Sequence, residues 1–97
     1  MNRTSRIQAA IEDAFAPDMI EVTDESHLHA GHAGAQPGGE THYNVVVVAS
    51  QFDGQSRVNR QRGVYALLGG EFSTGLHALS VRALTPGEAA ENTYMKQ

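Results

Sequence analysis

A chain of 97 residues with 40% apolar and 19% charged side chains has the size and balance of one ordinary globular domain. Seven Lys and Arg against eleven Asp and Glu give a net charge of −4, the wrong sign for a protein that clings to phosphates through bulk electrostatics. The absence of cysteine excludes a disulfide, a thiol nucleophile and any Cys-x-x-Cys metal or redox site of its own.

Met1-Asn2-Arg3-Thr4-Ser5-Arg6 leads into an amphipathic pattern without the apolar stretch of a signal peptide or membrane span, so a cytoplasmic protein is expected. Ser5-Arg6-Ile7-Gln8 reads as a capping box, and Ile7, Ala10, Ile11, Ala14 and Phe15 recur at helical spacing. Pro17 removes a backbone donor and ends that helix. From Met19 to Asp24, Ile20 and Val22 alternate with Glu21 and Thr23, the pattern of a strand with one buried face. Residues 25–39 hold four glycines, a proline and three histidines without periodicity. A loop of about fifteen residues is far longer than a hairpin needs, and loops of that length are usually functional or disordered.

Thr41 to Ser50 contains Val45-Val46-Val47-Val48, as expected of a central strand. After a turn at Phe52-Asp53-Gly54-Gln55, Ser56 caps a helix running to about Leu68, with Val58, Tyr65, Leu68 and Phe72 on its apolar side and Gly69-Gly70 at its end. Gly63 inside it marks close packing or a break into two helices. His77 to Leu84 reads as a third strand, and Thr85-Pro86-Gly87-Glu88 starts a short C-terminal helix whose pattern fades after Ala90. The order is α-β-β-α(α)-β-α in a single domain over residues 1–97, with a core of about 5–90 and a frayed tail over 91–97. This is an α+β fold with a mixed three-stranded sheet and helices on one face. The helical connection between the second and third strands has the length of a parallel crossover. A domain this small buries only about 60 to 65% of its unfolded surface, so complexes, a homodimer included, are compatible with it.

Five histidines are many for this length, and His27, His29 and His32 share the glycine-rich loop. Imidazole is a common metal ligand, yet His-x-His-x-x-His without cysteine matches no standard zinc spacing. Solvated loop histidines beside Asp24 and Glu25 are the plainer explanation. His42 and His77 each begin a strand and can lie close together across a sheet; His77 shares its strand parity with Leu79 and Val81, so a half-buried histidine at the core's edge is expected. No serine has a nucleophile-elbow context and no glycine-rich loop follows a strand to cradle phosphates, so no catalytic constellation is found. Arg57, Arg60 and Arg62 give the second helix a basic face suited to a partner or to nucleic acid, but without aromatics for base stacking. Few phosphates could be neutralised, so nucleic-acid binding is expected to be weak at physiological salt.

Over Ser5 to Glu88 the chain resembles the BolA family. The matching residues are Asp24-Glu25-Ser26-His27, His32, Glu40-Thr41-His42-Tyr43, Phe52 with Gly54, Ser56-Arg57-Val58, Arg60 with Arg62, Val64-Tyr65, Gly75, His77-Ala78-Leu79-Ser80 and Thr85-Pro86. The resemblance implies a fold similar to a type II KH domain and a non-enzymatic role beside a monothiol glutaredoxin, sharing a [2Fe-2S] cluster in iron-sulfur trafficking or iron sensing. It makes His77 one ligand and a loop histidine the second, His32 first by position, then His29, then His27; the glutaredoxin cysteine and its glutathione would supply the thiolates. Two histidines can replace two cysteines on one iron, as in Rieske centres. Some family members are described as DNA-binding transcriptional regulators acting through the helix that here carries Arg57, Arg60 and Arg62. Gln61 departs from the pattern, standing where many members carry histidine.

Overall fold

The computed structural model describes residues 2–29 and 39–91. Helix α1 spans Arg3–Phe15. Its cap is Asn2, whose side-chain oxygen accepts the Ser5 N–H at 2.8 Å, three residues before the expected cap at Ser5. The helix starts early because a distant acceptor takes one of its orphan donors: the Arg3 N–H reaches Glu40 Oε1 at 2.7 Å. It ends at Ala16, left-handed at φ 45°, directly before Pro17. Arg3, Ile7 and Ile11, one turn apart, form its buried face.

Strand β1, Met19–Asp24, pairs antiparallel with β2, His42–Val48, in a register from Met19 opposite Val48 to Asp24 opposite Tyr43. Strand β3, Ala78–Leu84, pairs parallel with β2 on its other side, from His42 opposite Ala78 to Val48 opposite Leu84. The sheet order is therefore β1-β2-β3, mixed as expected. Tyr43, Val45 and Val47 point into one cluster with Ile7, Ile11, Phe52, Val64, Leu68, Leu76, Leu79 and Ala83, so α1 and the crossover helix share one face of the sheet. On the opposite face Val46 is also buried, between its register partners Glu21 and Arg82, whose long stems can cover it.

The crossover carries α2, Arg57–Leu67, and α3, Gly69–Ser73. Ser56 caps α2, its Oγ accepting the Asn59 N–H at 3.1 Å. The helix runs unbroken through Gly63, where an added Cβ would come within 4.0 Å of Phe15; the glycine marks the packing of α1 on α2, and the break falls at Leu68. The expected apolar face of α2 is corrected by the structure. Leu68 is buried and Phe72 packs on the core as expected, but Val58 is 56% exposed and Tyr65 is also exposed, while Arg60 and Val64 turn inward instead. A charged residue holds one inward position because its charge is paired there: Arg60 donates to Glu88 Oε1 at 2.6 Å, Ala83 O at 3.1 Å and Gln55 O at 3.1 Å.

Three α2 side chains also meet the outer rim of β3. Arg60 donates to the Ala83 carbonyl, Gln61 Nε2 to Val81 O at 2.5 Å, and the Tyr65 hydroxyl to Leu79 O. Helix α4, Pro86–Glu91, begins with the expected box: Thr85 N–H donates to Glu88 Oε1 at 2.9 Å and Glu88 N–H to Thr85 Oγ1 at 3.1 Å. No helix among the described residues is long and apolar enough to cross a membrane.

Candidate metal centre

The strand ends beside the long loop are tied by one polar hub. Asp24, the last residue of β1, accepts the Ser26 N–H at 2.9 Å and the Ser26 hydroxyl at 2.5 Å on one oxygen, and the Glu40 N–H at 3.1 Å on the other. Burial alone would raise the Asp24 carboxyl, but the bonds from Ser26 and from the Glu40 backbone outweigh it and hold the group below its ordinary value. Ser26 Oγ then accepts the N–H groups of Thr41 at 2.9 Å and His42 at 3.2 Å. The chain leaves β1 through a 3-10 turn over Ser26–His29 and returns at Gly39 and Glu40, both with positive φ. An added Cβ at Gly39 would stand 3.3 Å from Asp24 Oδ2, so this return is closely fitted to the carboxylate.

Thr41, 1% exposed, connects that hub to the start of β3. Its carbonyl accepts the His77 N–H at 2.8 Å and the Ala78 N–H at 3.1 Å, and its hydroxyl bonds His42 Nδ1 at 2.8 Å. The rings of His42 and His77 lie 5.2 Å apart, centre to centre, at 50°. The two strand-start histidines are thus brought together, His42 buried and His77 exposed. The exposure of His77 corrects the half-buried expectation drawn from parity: β3 begins at Ala78, so His77 precedes the regular pleat and its ring does not follow Leu79 inward.

A second device holds the segment before His77. The Arg3 guanidinium donates to Glu40 O at 2.5 Å, Thr74 O at 2.8 Å and Glu71 Oε1 at 3.0 Å. Gly75, at φ 131°, faces it so closely that an added Cβ would sit 3.1 Å from Nη2. Glu71 also accepts Arg6, and the Arg6 bond foremost, then the Arg3 bond, holds its carboxyl below the usual range against the effect of burial. Arg3, Ser26 and Thr41 were not singled out as functional by sequence reasoning. Ser26 and Thr41 do stand inside Asp24-Glu25-Ser26 and Glu40-Thr41-His42, the segments quoted for the family resemblance; Arg3 carried no such signal.

Of the loop histidines, His27 is exposed at the loop's entry, His32 lies outside the described residues, and so does the side chain of His29. Among the described residues, no group of three or more His, Asp or Glu is placed to hold a metal. On α2, Arg57 and Arg62 are exposed while Arg60 is turned inward onto Glu88, so the three arginines do not share one solvent face. Gln61, the departure from the family pattern, supplies an N–H to β3, which fits a position where a histidine ring could also donate.

The model of the family described as BolA-like protein matches residues 11–88. Among curated relatives, Protein BOLA1, chloroplastic, of Arabidopsis thaliana is 43% identical over 91% of this chain and 56% of its own length. BolA-like protein 1 of Homo sapiens is 40% identical over 92% of this chain and 62% of its own. The chain thus spans a little over half the length of these two relatives. Among solved structures, the BolA domain of SufE1 from Arabidopsis thaliana superimposes with a TM-score of 0.81 at 44% identity, covering 91% of this chain and 96% of that one. Matched along most of its length by the family model, by relatives and by this fold, the chain belongs to the BolA-like family.

Proposed function

We propose that this chain is a non-enzymatic partner in iron-sulfur trafficking or iron sensing, which pairs with a monothiol glutaredoxin and co-ligates a [2Fe-2S] cluster. The observation that carries the reading is His77, an exposed imidazole whose backbone is fixed by Thr41 O at the same end of the sheet as the loop of residues 25–40. His77 is one ligand. A histidine of that loop is the second, His32 first, then His29 and His27. The donor set fits half a cluster site: a chain without cysteine brings imidazoles only, so the thiolates come from the glutaredoxin cysteine and its glutathione.

Mixing the protein with a cluster-loaded monothiol glutaredoxin, followed by visible absorption and circular dichroism, tests this. Wild type changes the cluster spectrum and His77→Ala does not. Imidazole must be neutral to ligate and protons compete with the iron for its nitrogen, so the changed spectrum weakens as pH falls below the range in which free imidazole is neutral. An unchanged spectrum with wild type, or His77→Ala acting as fully as wild type, refutes the reading.

A further inference from the structure

The Arg3 side chain is 9% exposed, and every acceptor its guanidinium reaches lies on the two segments that run into the histidine end of the sheet. Nη1 reaches Glu40 O at 2.5 Å, and the Arg3 backbone N–H reaches Glu40 Oε1 at 2.7 Å, one residue before Thr41. Nη2 reaches Thr74 O at 2.8 Å and Thr74 Oγ1 at 3.2 Å, three residues before His77. Nε reaches Glu71 Oε1 at 3.0 Å, and the Glu71 carbonyl accepts the Thr74 and Leu76 N–H groups at 3.1 and 2.9 Å. One guanidinium therefore joins the return of the long loop to the approach of β3. Those two segments next meet where the His77 N–H bonds Thr41 O at 2.8 Å.

A buried ion pair adds little stability, because desolvating both partners offsets most of their attraction, whereas a fully bonded one fixes a single geometry. The backbone is shaped to this one. Glu40 takes a left-handed φ of 62°, unusual for a residue with a Cβ, and Gly75 leaves only 3.1 Å between an added Cβ and Arg3 Nη2. Left-handed backbone at a non-glycine residue persists only where its surroundings hold it, and such places cluster at sites whose geometry is used.

We infer that Arg3 is a positioning residue for the cluster site: through the carbonyls of Glu40 and Thr74 it sets where the His77 imidazole stands relative to the loop that brings the second ligand. The inference rests on the proposed function for what His77 holds. It goes further in assigning the placement of that ligand to a side chain at the start of α1, which acts through backbone and does not itself ligate.

The test titrates the full chain into cluster-loaded monothiol glutaredoxin under visible circular dichroism, with each variant first shown to be folded by far-UV circular dichroism. Arg3→Met raises the concentration needed for half the spectral change about tenfold, the low end of the usual effect of removing a ligand's support, and shifts the bands of the saturated complex. Gly75→Ala crowds the guanidinium without altering it and shifts the bands in the same direction. Arg3→Lys keeps the charge but not the fork of donors, and falls between wild type and Arg3→Met. Val64→Ala destabilises the core away from this site and leaves concentration and bands as in wild type. A partner-free measurement separates the two ideas. In Arg3→Met the His77 amide exchanges about tenfold faster relative to the amides of β2, whereas Val64→Ala moves them together. Arg3→Met with a wild-type titration and bands, Val64→Ala reproducing the Arg3→Met shift, or a His77 amide that keeps its wild-type protection in Arg3→Met overturns the inference. A wild type that leaves the cluster spectrum unchanged refutes the proposed function, and exchange at the His77 amide then decides on Arg3 alone.

Discussion

Replacing Arg60 with Met keeps most of the buried stem and removes every bond the guanidinium makes. Those bonds reach Gln55 O, Ala83 O and both oxygens of Glu88, with the Arg60 side chain 7% and the Glu88 side chain 33% exposed. Breaking a fully buried pair costs about 3–5 kcal/mol. Glu88 keeps partial access to water, which lowers the expectation to about 2–3 kcal/mol. For a domain of this size that is a fall in Tm of about 10–20 °C. The same pair governs acid stability. The Arg60 bond foremost, then the Thr85 N–H, pulls the Glu88 carboxyl down to about 2 from an ordinary 4.5. A carboxyl lowered in the fold stabilises above its unfolded value, and that contribution is lost as pH falls from about 4.5 toward 2. Screening at the one-third-exposed Glu88 limits the acid-labile part to about 1–2 kcal/mol. Urea unfolding followed by circular dichroism at pH 7, 5 and 3 measures both effects. Arg60→Met is destabilised at pH 7 and loses less between pH 5 and 3 than wild type. A variant within about 0.5 kcal/mol of wild type at pH 7, or with an unchanged pH slope, refutes the argument. Loss of nucleic-acid binding in an Arg60 variant is then no evidence of a phosphate contact, because the Arg60 guanidinium is turned inward onto Glu88.

Ser26→Ala leaves the Thr41 and His42 N–H groups without their acceptor; a loss of about 1–3 kcal/mol in urea unfolding is expected, with faster hydrogen exchange at those two amides. Gly75 and Gly54 both have positive φ, but an added Cβ meets Arg3 at 3.1 Å in the first and nothing within 4 Å in the second. Thermal melts should therefore show Gly75→Ala more destabilising than Gly54→Ala, which carries only the backbone strain of about 1–2 kcal/mol. Val64→Ala empties a fully buried site and lowers stability by about 2–3 kcal/mol, whereas Val58→Ala changes it by less than about 0.5 kcal/mol; equal effects would show that the inward face of α2 is misassigned.

Local rules carried the reading of the strands and helix ends. Ile20 and Val22 alternate with polar neighbours, the valine run marks the centre of the sheet, Ser56 caps α2, and Thr85 with Glu88 caps α4. The sequence-level errors arose where a partner distant in sequence decides the outcome. Arg60 points inward because Glu88 waits there, 28 residues on, and Val58 is displaced outward in consequence. Arg3 is buried because Glu40, Glu71 and Thr74 converge on it, and apolar periodicity is blind to a guanidinium. The meeting of His42 and His77 followed from both opening strands of one sheet. The exposure of His77 did not, because strand parity has no force one residue before the pleat begins.

The three α2 side chains on the carbonyls of β3 bear on how the molecule keeps company. A bare strand edge is a template for any extended chain, and a protein with four consecutive valines in the adjoining strand is exposed to that hazard when its sheet frays. Here the acceptors that an added strand would use at Leu79, Val81 and Ala83 are already taken by Tyr65, Gln61 and Arg60. Lengthening the sheet at this rim would mean stripping a whole helix face of its bonds, so a partner that approaches the β3 side meets side chains of α2 rather than open backbone. Recognition at this rim is thereby shifted from backbone pairing toward side-chain chemistry.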